Sequence, residues 1–411
     1  MLNQLLSFAD IMKSIGGVVL AIVILLAMVT IHEFGHYLAG KILGFKINEF
    51  AVGFGPAILK KRSKKTGELF ALRVIPLGGY CAFDGEDDTE EEPEQEKTQA
   101  QEEPFEEMFA QAEPVEENQA EIPPKEAQEY PEPKGARFND QPPWKRIIVL
   151  IAGATMNYIL ALCLLFVLFG CFGCIHSYVV YTGEAETPPV LSEEVLHAND
   201  VVLSVDGKDI YLTTDYVDAL SGKKAGESVA VEILRAGEEK TLTLTLQADC
   251  DFKSMTELDK VYAALGMGTE NVEYAFASVT IKEGFFQTIG SSFVYSFKIG
   301  STVLRSLGEL ITGRIGIDSM GGPVTTISVT AQAASSGIRS FLNIGAFIGV
   351  NLAVFNLLPV PALDGCKVIF CLIEWIRKKP VNRKVETMIH FIGIIALFAF
   401  AILIDVIQLF L

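Results

Sequence analysis

Residues 15–38 read IGGVVLAIVILLAMVTIHEFGHYL, an apolar run that ends in polar and charged side chains. A helix of about 20 residues crosses the roughly 30 Å hydrocarbon core of a bilayer, so this run predicts a transmembrane span. His32 and His36 are four residues apart and lie on one helix face. Two imidazoles at this spacing can bind one Zn²⁺, and Glu33 between them is placed to act as a general base. The stretch therefore predicts a catalytic zinc site within a membrane helix.

The setting of these polar residues supports that interpretation. Two histidines and a carboxylate in an apolar span cost several kcal/mol unless they are paired, metal-bound or facing a cavity. The alternative is that they merely end the span at the membrane interface. The charge of Glu33 beside two possible ligands favours the functional interpretation.

Three more stretches, 147–175, 341–358 and 388–411, are long and apolar enough to span a bilayer. Several stretches of this length exclude a single soluble globule. The net charge of −18 belongs to residues 84–133, which hold 20 Asp and Glu against two Lys. The rest of the chain is neutral, so a basic nucleic-acid-binding face is excluded and no nucleic-acid partner is expected. Seven scattered cysteines do not suggest a disulfide framework.

Basic residues near the spans predict the orientation of the chain, because Lys and Arg favour the cytoplasmic side. Both the segment after the first span and the segment between the third and fourth spans are basic. The residues concerned are Lys41, Lys46, Lys60, Lys61, Arg62, Lys64, Lys65, Arg73, Lys367, Arg377, Lys378, Lys379, Arg383 and Lys384. We therefore expect the active site on the cytoplasmic side and residues 176–340 outside.

Asp364 is the first candidate for a third zinc ligand. It follows the third span in NLLPVPALDG, where Pro359 and Pro361 break the helix, and the topology places it in the same leaflet as HEFGH. His390 and the thiol of Cys366 are the alternatives. The alternative interpretation is that Asp364 belongs to an ordinary turn at the membrane interface and has no catalytic function.

The remaining segments are predicted from their composition and alternation. Residues 46–83 suggest membrane-associated β hairpins, and residues 285–312 suggest an amphipathic helix at the outer surface. DVVLSVDGKDI at 200–210 predicts strand–turn–strand, the segment through DYVDALSG at 215–222 predicts a helix, and ESVAVEILRAGEEKTLTLTLQ at 227–247 predicts two strands, an order that resembles a PDZ domain. The fold class expected is a mainly α membrane protein with four transmembrane helices, a membrane-associated β region and an extracytoplasmic PDZ-like α+β domain. The predicted parts are 1–83 (first span and hairpins), 84–143 (acidic disordered insertion), 144–175 (second span), 176–280 (PDZ-like domain), 281–340 (amphipathic helix and connector) and 341–411 (third and fourth spans).

HEFGH in the first span and NLLPVPALDG after the third resemble the paired motifs of site-2 proteases, which are intramembrane zinc metalloproteases. GFGP, PLGGY, WKR with AGATMN, and GGPV resemble the regulator of sigma-E protease (RseP-type) branch and occur in the same order. The resemblance implies that the zinc ligands are His32, His36 and Asp364, with Glu33 as catalytic base. It also implies substrate-binding roles for Asn351 and Asn356 and for the hairpin residues Gly78, Gly79 and Tyr80.

Three departures from the pattern of that branch are visible. Cys366 stands where a second glycine often follows Asp-Gly, and Ala154 stands where the second-span motif often has proline. A single PDZ-like domain is present where some relatives have two. None of these changes removes a catalytic group.

The resemblance implies hydrolysis of transmembrane segments in single-span membrane proteins, such as anti-sigma factors or remnant signal peptides. The expected location is the plasma membrane of a bacterium, as a multi-pass protein in contact with the lipid bilayer. An upstream site-1-type protease acting on the same substrate is the expected partner. The alternatives are a membrane-anchored PDZ scaffold with a non-catalytic zinc site and a metal transporter.

Overall fold

The four predicted spans are confirmed as helices long and apolar enough to cross a membrane. A computed structural model describes residues 8–86, 130–182, 192–269, 272–317 and 320–410. The spans within these ranges lie in α1 (Phe8–Leu43), α2 (Pro143–Phe172), α7 (Ile338–Asn356) and α9 (Arg383–Phe410). The other helices are α3 (Thr214–Leu220), α4 (Leu258–Ala264), α5 (Phe285–Ile311), α6 (Pro323–Ser335) and α8 (Asp364–Arg377).

Helix α2 is the central helix of the membrane part, and it packs on α1, α5, α7 and α8. Its closest approach to α1 occurs at Gly35. A Cβ at Gly35 would lie 2.4 Å from the carbonyl oxygen of Ala152, so only glycine permits this crossing. Small residues are how membrane helices bring their backbones together. The crossing places α2 directly against the turn of α1 that carries HEFGH.

The region after α1 is one long bent hairpin of β1 (Ile47–Arg62) and β2 (Leu69–Phe83). Residues 49–52 of β1 pair on both sides, with residues 79–82 and with residues 69–72. Residues Arg62 and Leu69 pair near the turn, whereas Ile47 pairs with Phe83 at the far end. The start of β1 thus lies beside the end of β2, close to α1. The hairpin brings residues 79–83 to the side of the helix that carries Glu33.

The prediction of a disordered segment up to residue 143 is wrong at its C-terminal end. Phe138 is 4% exposed, and its ring lies 5.4 Å from the rings of both Phe45 and Phe83, measured between centroids. Ala136 forms a parallel bridge with Phe45. The aromatic cluster orders this piece despite its polar neighbours, because the buried ring offsets the cost of fixing the chain. Residues 87–129 lie outside the described residues.

The second span ends earlier than predicted, at Phe172 rather than Ile175. Gly173 has φ = 97°, a conformation that ends the helix, and Cys174 begins strand β3 (Cys174–Tyr181). The sheet that starts there has the order β7-β6-β4-β3-β9-β8, with β5 paired to β4. Its other strands are β4 (Val201–Val205), β5 (Lys208–Asp209), β6 (Ser228–Arg235), β7 (Glu238–Thr245), β8 (Gly268–Thr269) and β9 (Val272–Ile281).

Helix α5 begins where the sequence predicted an amphipathic helix, and its polar side faces the protein. The buried side carries hydroxyl groups, among them Ser292 and Ser296, while Phe286 and Phe297 are exposed. The Oγ of Ser296 lies 2.9 Å from the hydroxyl of Tyr158 on α2. The exposed aromatic side is therefore available to lipid.

Candidate metal centre and active site

Three side chains from two distant parts of the chain converge beside α2. His32 and His36 occupy successive turns of α1, and Asp364 is the first residue of α8. The Nε2 atoms of the two histidines are 3.1 Å apart. The Oδ2 atom of Asp364 lies 3.0 Å from Nε2 of His32 and 3.3 Å from Nε2 of His36. The structure thus brings together the three residues that the sequence predicted as ligands.

The spacing of these donor atoms fits a zinc ion. Ligands that bind Zn²⁺ tetrahedrally at 2.0–2.1 Å lie about 3.3–3.4 Å from one another. The three separations are close to that value and form one face of such a tetrahedron. Two imidazoles and one carboxylate leave the fourth position for water, which is the donor set of a catalytic zinc site. The residues present therefore fit the metal.

His36 is held in the orientation that a ligand needs. Its Nδ1 lies 2.8 Å from the carbonyl oxygen of Val149 on α2, so Nδ1–H donates to that oxygen. The tautomer that results leaves a lone pair on Nε2. A backbone acceptor behind a liganding histidine fixes the ring and raises its basicity.

Two asparagine side chains contact the other ring. The Nδ1 of His32 lies 3.4 Å from the amide nitrogens assigned to Asn157 and to Asn356. Asn157 is fully buried in α2, and its Oδ1 has no hydrogen-bond partner among the described residues. In the alternative orientation of the Asn157 amide, rotated by 180°, Oδ1 accepts a hydrogen bond from Nδ1–H of His32. His32 then also presents Nε2 to the metal.

Helix α2 makes room for the site as well as supporting it. A Cβ at Gly153 would lie 2.3 Å from Nε2 of His36 and 2.8 Å from Cε1 of His32. Neither ring can withdraw without losing its contact with Asp364. Because residue 153 is glycine, both imidazole rings fit between α1 and α2.

Asp364 is positioned by the turn before α8 and by a buried ion pair further along that helix. Arg146 on α2 is 1% exposed, and its Nη2 lies 2.5 Å from Oε1 of Glu374 on α8. Burial would raise the pKa of Asp364, but hydrogen bonds with His32 and His36 dominate and lower it. The carboxyl group is therefore ionised, as a ligand must be.

Glu33 lines two cavities, and Asp364 lines both of them as well. One, of about 390 Å³, is lined by Glu33, His36, Asp364 and residues 80–83 of β2. The other, of about 310 Å³, is lined by His32, Glu33 and Asp364 together with Asn157 and Asn356. A carboxylate in this position lines the same cavities as the donor triad. It can take up and return a proton there.

The predicted substrate-binding residues fall in different places. Tyr80 lines the larger cavity and Asn356 the smaller one. A Cβ at Gly79 would come within 3.3 Å of Cγ of Glu33, so this backbone lies against the base. Gly78 has φ = 105° and forms the bend before it. Asn351 donates to the carbonyl oxygen of Phe347, 2.8 Å away on its own helix, and lines neither cavity.

The alternative third ligands are not part of the donor group. Nδ1 of His390 accepts a hydrogen bond from the backbone N–H of Ala362 at 3.1 Å. That contact supports the turn leading to Asp364, which is a structural role. Cys366 is buried and is absent from the group of donor atoms that includes His32 and His36.

A membrane-helix site with this donor set and an adjacent carboxylate defines the class as intramembrane metallopeptidases. The family model for Peptidase family M50 matches residues 20–400, and the chain belongs to that family. It is a zinc metalloprotease of the site-2 type.

Relatives of the same length carry corresponding names. The zinc metalloprotease RasP of Bacillus licheniformis is 27% identical over 92% of this chain and 94% of its own length. The regulator of sigma-W protease RasP of Bacillus subtilis is 27% identical over 92% of this chain and 95% of its own. The zinc metalloprotease RasP of Geobacillus kaustophilus is 27% identical over 93% and 94%.

Proposed function

We propose that this protease cleaves transmembrane segments of single-span membrane proteins, with His32, His36 and Asp364 as zinc ligands and Glu33 as catalytic base. The observation that supports this most strongly is the donor triad, in which the three donor atoms are 3.0–3.3 Å apart. Two of these atoms belong to the membrane helix α1. A membrane-bound regulator of a sigma factor is the substrate class suggested by the name of the Bacillus subtilis relative. Remnant signal peptides belong to the same substrate class, because each of them is also a single apolar helix.

The chain's own residues perform the proton transfers and the positioning. When bound, zinc polarises the scissile carbonyl and activates water. Glu33 accepts the proton of the attacking water and returns it to the departing amine. Val149 and Asn157 keep the two imidazoles oriented throughout. Asp364 would supply the negative charge among the three residues that would hold the metal.

The end of β2 is the proposed place where an unwound substrate is held. A substrate helix hides its amides in its own hydrogen bonds, so it must become extended before attack. Residues 80–83 line the cavity beside Glu33, and their pairing with β1 uses one side of this strand. Backbone groups on the other side can pair with an extended peptide by β-addition. The amide of Asn356, which lines the second cavity, can hydrogen-bond freed backbone groups.

We further propose that the active site lies on the cytoplasmic side of a bacterial plasma membrane and the β3–β9 sheet domain outside. About 20 residues of α2 separate Gly153 from Gly173, and at 1.5 Å per residue this is roughly 30 Å, the thickness of the hydrocarbon core. The strand–turn–strand, helix, strand–strand order of β4 to β7 is that of a PDZ-like domain. Such a domain above the site excludes substrates with large outer parts, so an upstream protease would act first.

Incubation of the purified protein in liposomes with a single-span model substrate tests this proposal. We expect cleavage inside the transmembrane segment, loss of cleavage with a zinc chelator and recovery when zinc is restored. Glu33→Gln serves as the inactive control. Cleavage that resists the chelator, or that falls only in soluble loops, would contradict the proposal.

A further inference from the structure

A second cluster of metal-binding side chains lies at the other end of α2. It consists of Cys174 and His176 on β3 and Glu283 in the link between β9 and α5. One donor atom from each lies within 4.8 Å of the other two. Within the described ranges it is the second of two such groups, and the first is the His32–His36–Asp364 triad.

The local structure explains why these residues meet. Side chains two apart on a strand point to the same face, which aligns Cys174 with His176. Cys174 is the partner of Ile281 in the antiparallel pairing of β3 with β9. Glu283 follows two residues after Ile281, so its side chain returns alongside the start of β3. The pairing of these two strands thus assembles the cluster.

The cluster is buried, and its hydrogen bonds are incomplete. Cys174 is 1% exposed, and the side chains of His176 and Glu283 are 9% and 7% exposed. Ser291 donates to Oε2 of Glu283 at 2.7 Å. Nδ1 of His176 has no hydrogen-bond partner among the described residues. Burying a carboxylate beside an imidazole and a thiol costs several kcal/mol, a cost that a cation bound to these donor atoms would offset.

The donor types favour zinc over harder cations. A thiolate and an imidazole are ligands of Zn²⁺, whereas Mg²⁺ and Ca²⁺ take oxygen ligands. Nε2 of His176 lies 3.4 Å from Oε1 of Glu283, which matches two ligands of one tetrahedral zinc ion at about 3.3–3.4 Å. Metal binding would displace the thiol proton of Cys174.

We propose that Cys174, His176 and Glu283 bind a second zinc ion at the junction between the membrane helices and the sheet domain. The ion would join β3, which follows α2 directly, to the start of α5. Helix α5 in turn packs on α2, where the ring of Tyr295 lies 5.4 Å from that of Phe169. With water in the fourth position, the second zinc would hold the sheet domain in place relative to the helix that supports the donor triad.

Zinc analysis of the full-length protein tests the second site, after loading with zinc and removal of the unbound ion. We expect two zinc ions per chain in the parent and one in Cys174→Ser and in Glu283→Gln. The control Cys171→Ser keeps two, because Cys171 is exposed at the end of α2 and outside the cluster. The double variant His32→Ala/His36→Ala keeps one, held by the second site.

Cobalt loading gives an independent measurement that does not depend on a Cys174 variant folding. In the His32→Ala/His36→Ala background, Co²⁺ should produce the near-ultraviolet absorption of a thiolate–cobalt bond. Glu283→Gln in that background should weaken the band, and Cys171→Ser should leave it unchanged. The proposal is overturned if the parent binds a single zinc that the double variant loses. It is equally overturned if cobalt gives no thiolate band, in which case the cluster is only a buried hydrogen-bonded group.

Discussion

At the scale of single residues, ligand and base are separate functions in neighbouring side chains. His32 and His36 point their Nε2 atoms towards Asp364, while Glu33 lies on the next part of the turn and borders both cavities. Glu33 is not a member of the donor group. Metal binding and proton transfer can therefore be removed independently.

Glu33→Gln should leave the bound zinc unchanged and lower cleavage by about 10²- to 10⁴-fold, the usual contribution of a general base. The amide keeps the size of the side chain but cannot accept the proton. Zinc content and the rate of cleavage of a single-span substrate, measured on the same preparation, check this. Full activity in the variant would exclude Glu33 as the base.

Gly153→Ala should remove activity together with the one equivalent of zinc held by the donor triad, because its Cβ would lie 2.3 Å from Nε2 of His36. The matched control is Gly170→Ala on the same helix, where no neighbouring atom lies within 4 Å of the added Cβ. Alanine is favoured over glycine in a helix by about 1 kcal/mol, so the control should be as stable as the parent or more so. Equal zinc content in the two variants would contradict the role of Gly153.

The HEFGH spacing was enough to predict that His32 and His36 share one helix face with Glu33 beside them, because this placement depends only on helix geometry. The residues on α2 that support them could not be predicted. Gly153 and Asn157 act through the packing of α2 on α1, and no local pattern specifies which turns of two helices will meet. The lone asparagine in the apolar second span was the available signal for Asn157.

At the scale of elements, α8 carries Asp364 and is fixed to α2 by the Arg146–Glu374 ion pair. Glu374→Gln leaves Arg146 buried without its charge partner, and breaking such a pair costs about 3–5 kcal/mol. The exposed pair of Lys240 and Glu238, whose nearest atoms are 4.0 Å apart, supplies the control. Glu238→Gln should change stability by about 1 kcal/mol or less.

Thermal unfolding followed by circular dichroism in detergent, with zinc content measured alongside, distinguishes these variants. Glu374→Gln should unfold at a clearly lower temperature and bind less zinc, since Asp364 is no longer held. An unfolding temperature equal to that of Glu238→Gln would show that the ion pair does not position α8.

The positions of the four spans could be predicted from the sequence, because the length of an apolar run determines them. The bent pairing of β1 with β2 could not, because residues 53–56 change direction and the register depends on contacts with α1. Helix α6 was also missed. Its start is held by Asp405, whose Oδ1 accepts from the backbone N–H of Val324 at 3.3 Å, a contact between segments 81 residues apart.

At the scale of the whole molecule, the acidic stretch is an insertion between two ordered pieces. Replacing residues 90–127 by a short Gly/Ser linker should leave cleavage of a model substrate intact, because this composition cannot bury enough apolar surface to fold alone. Phe138 lies just beyond the acidic stretch, and Phe138→Ala should destabilise the protein by about 3–5 kcal/mol, as for other buried aromatic residues. Cleavage assays and thermal unfolding of both proteins check this. Loss of activity in a folded deletion variant would assign the insertion a functional contact.

The α2 helix connects the parts of the molecule, with the catalytic triad near its start and the sheet domain after its end. Val149 and Asn157 on this helix contact His36 and His32. The assignment of the zinc site rests on one long-range contact, which joins His32 and His36 on α1 to Asp364 at the start of α8.

Zinc content of Asp364→Ala and Asp405→Ala, purified side by side, tests that claim most directly. Both variants remove one aspartate from an apolar setting, but Asp405 lies at the N-terminus of α6 and away from the triad. We predict that Asp364→Ala loses one equivalent of zinc and its proteolytic activity, while Asp405→Ala retains both. If Asp364→Ala binds zinc as tightly as the parent, Asp364 is not the third ligand and the proposed site is wrong.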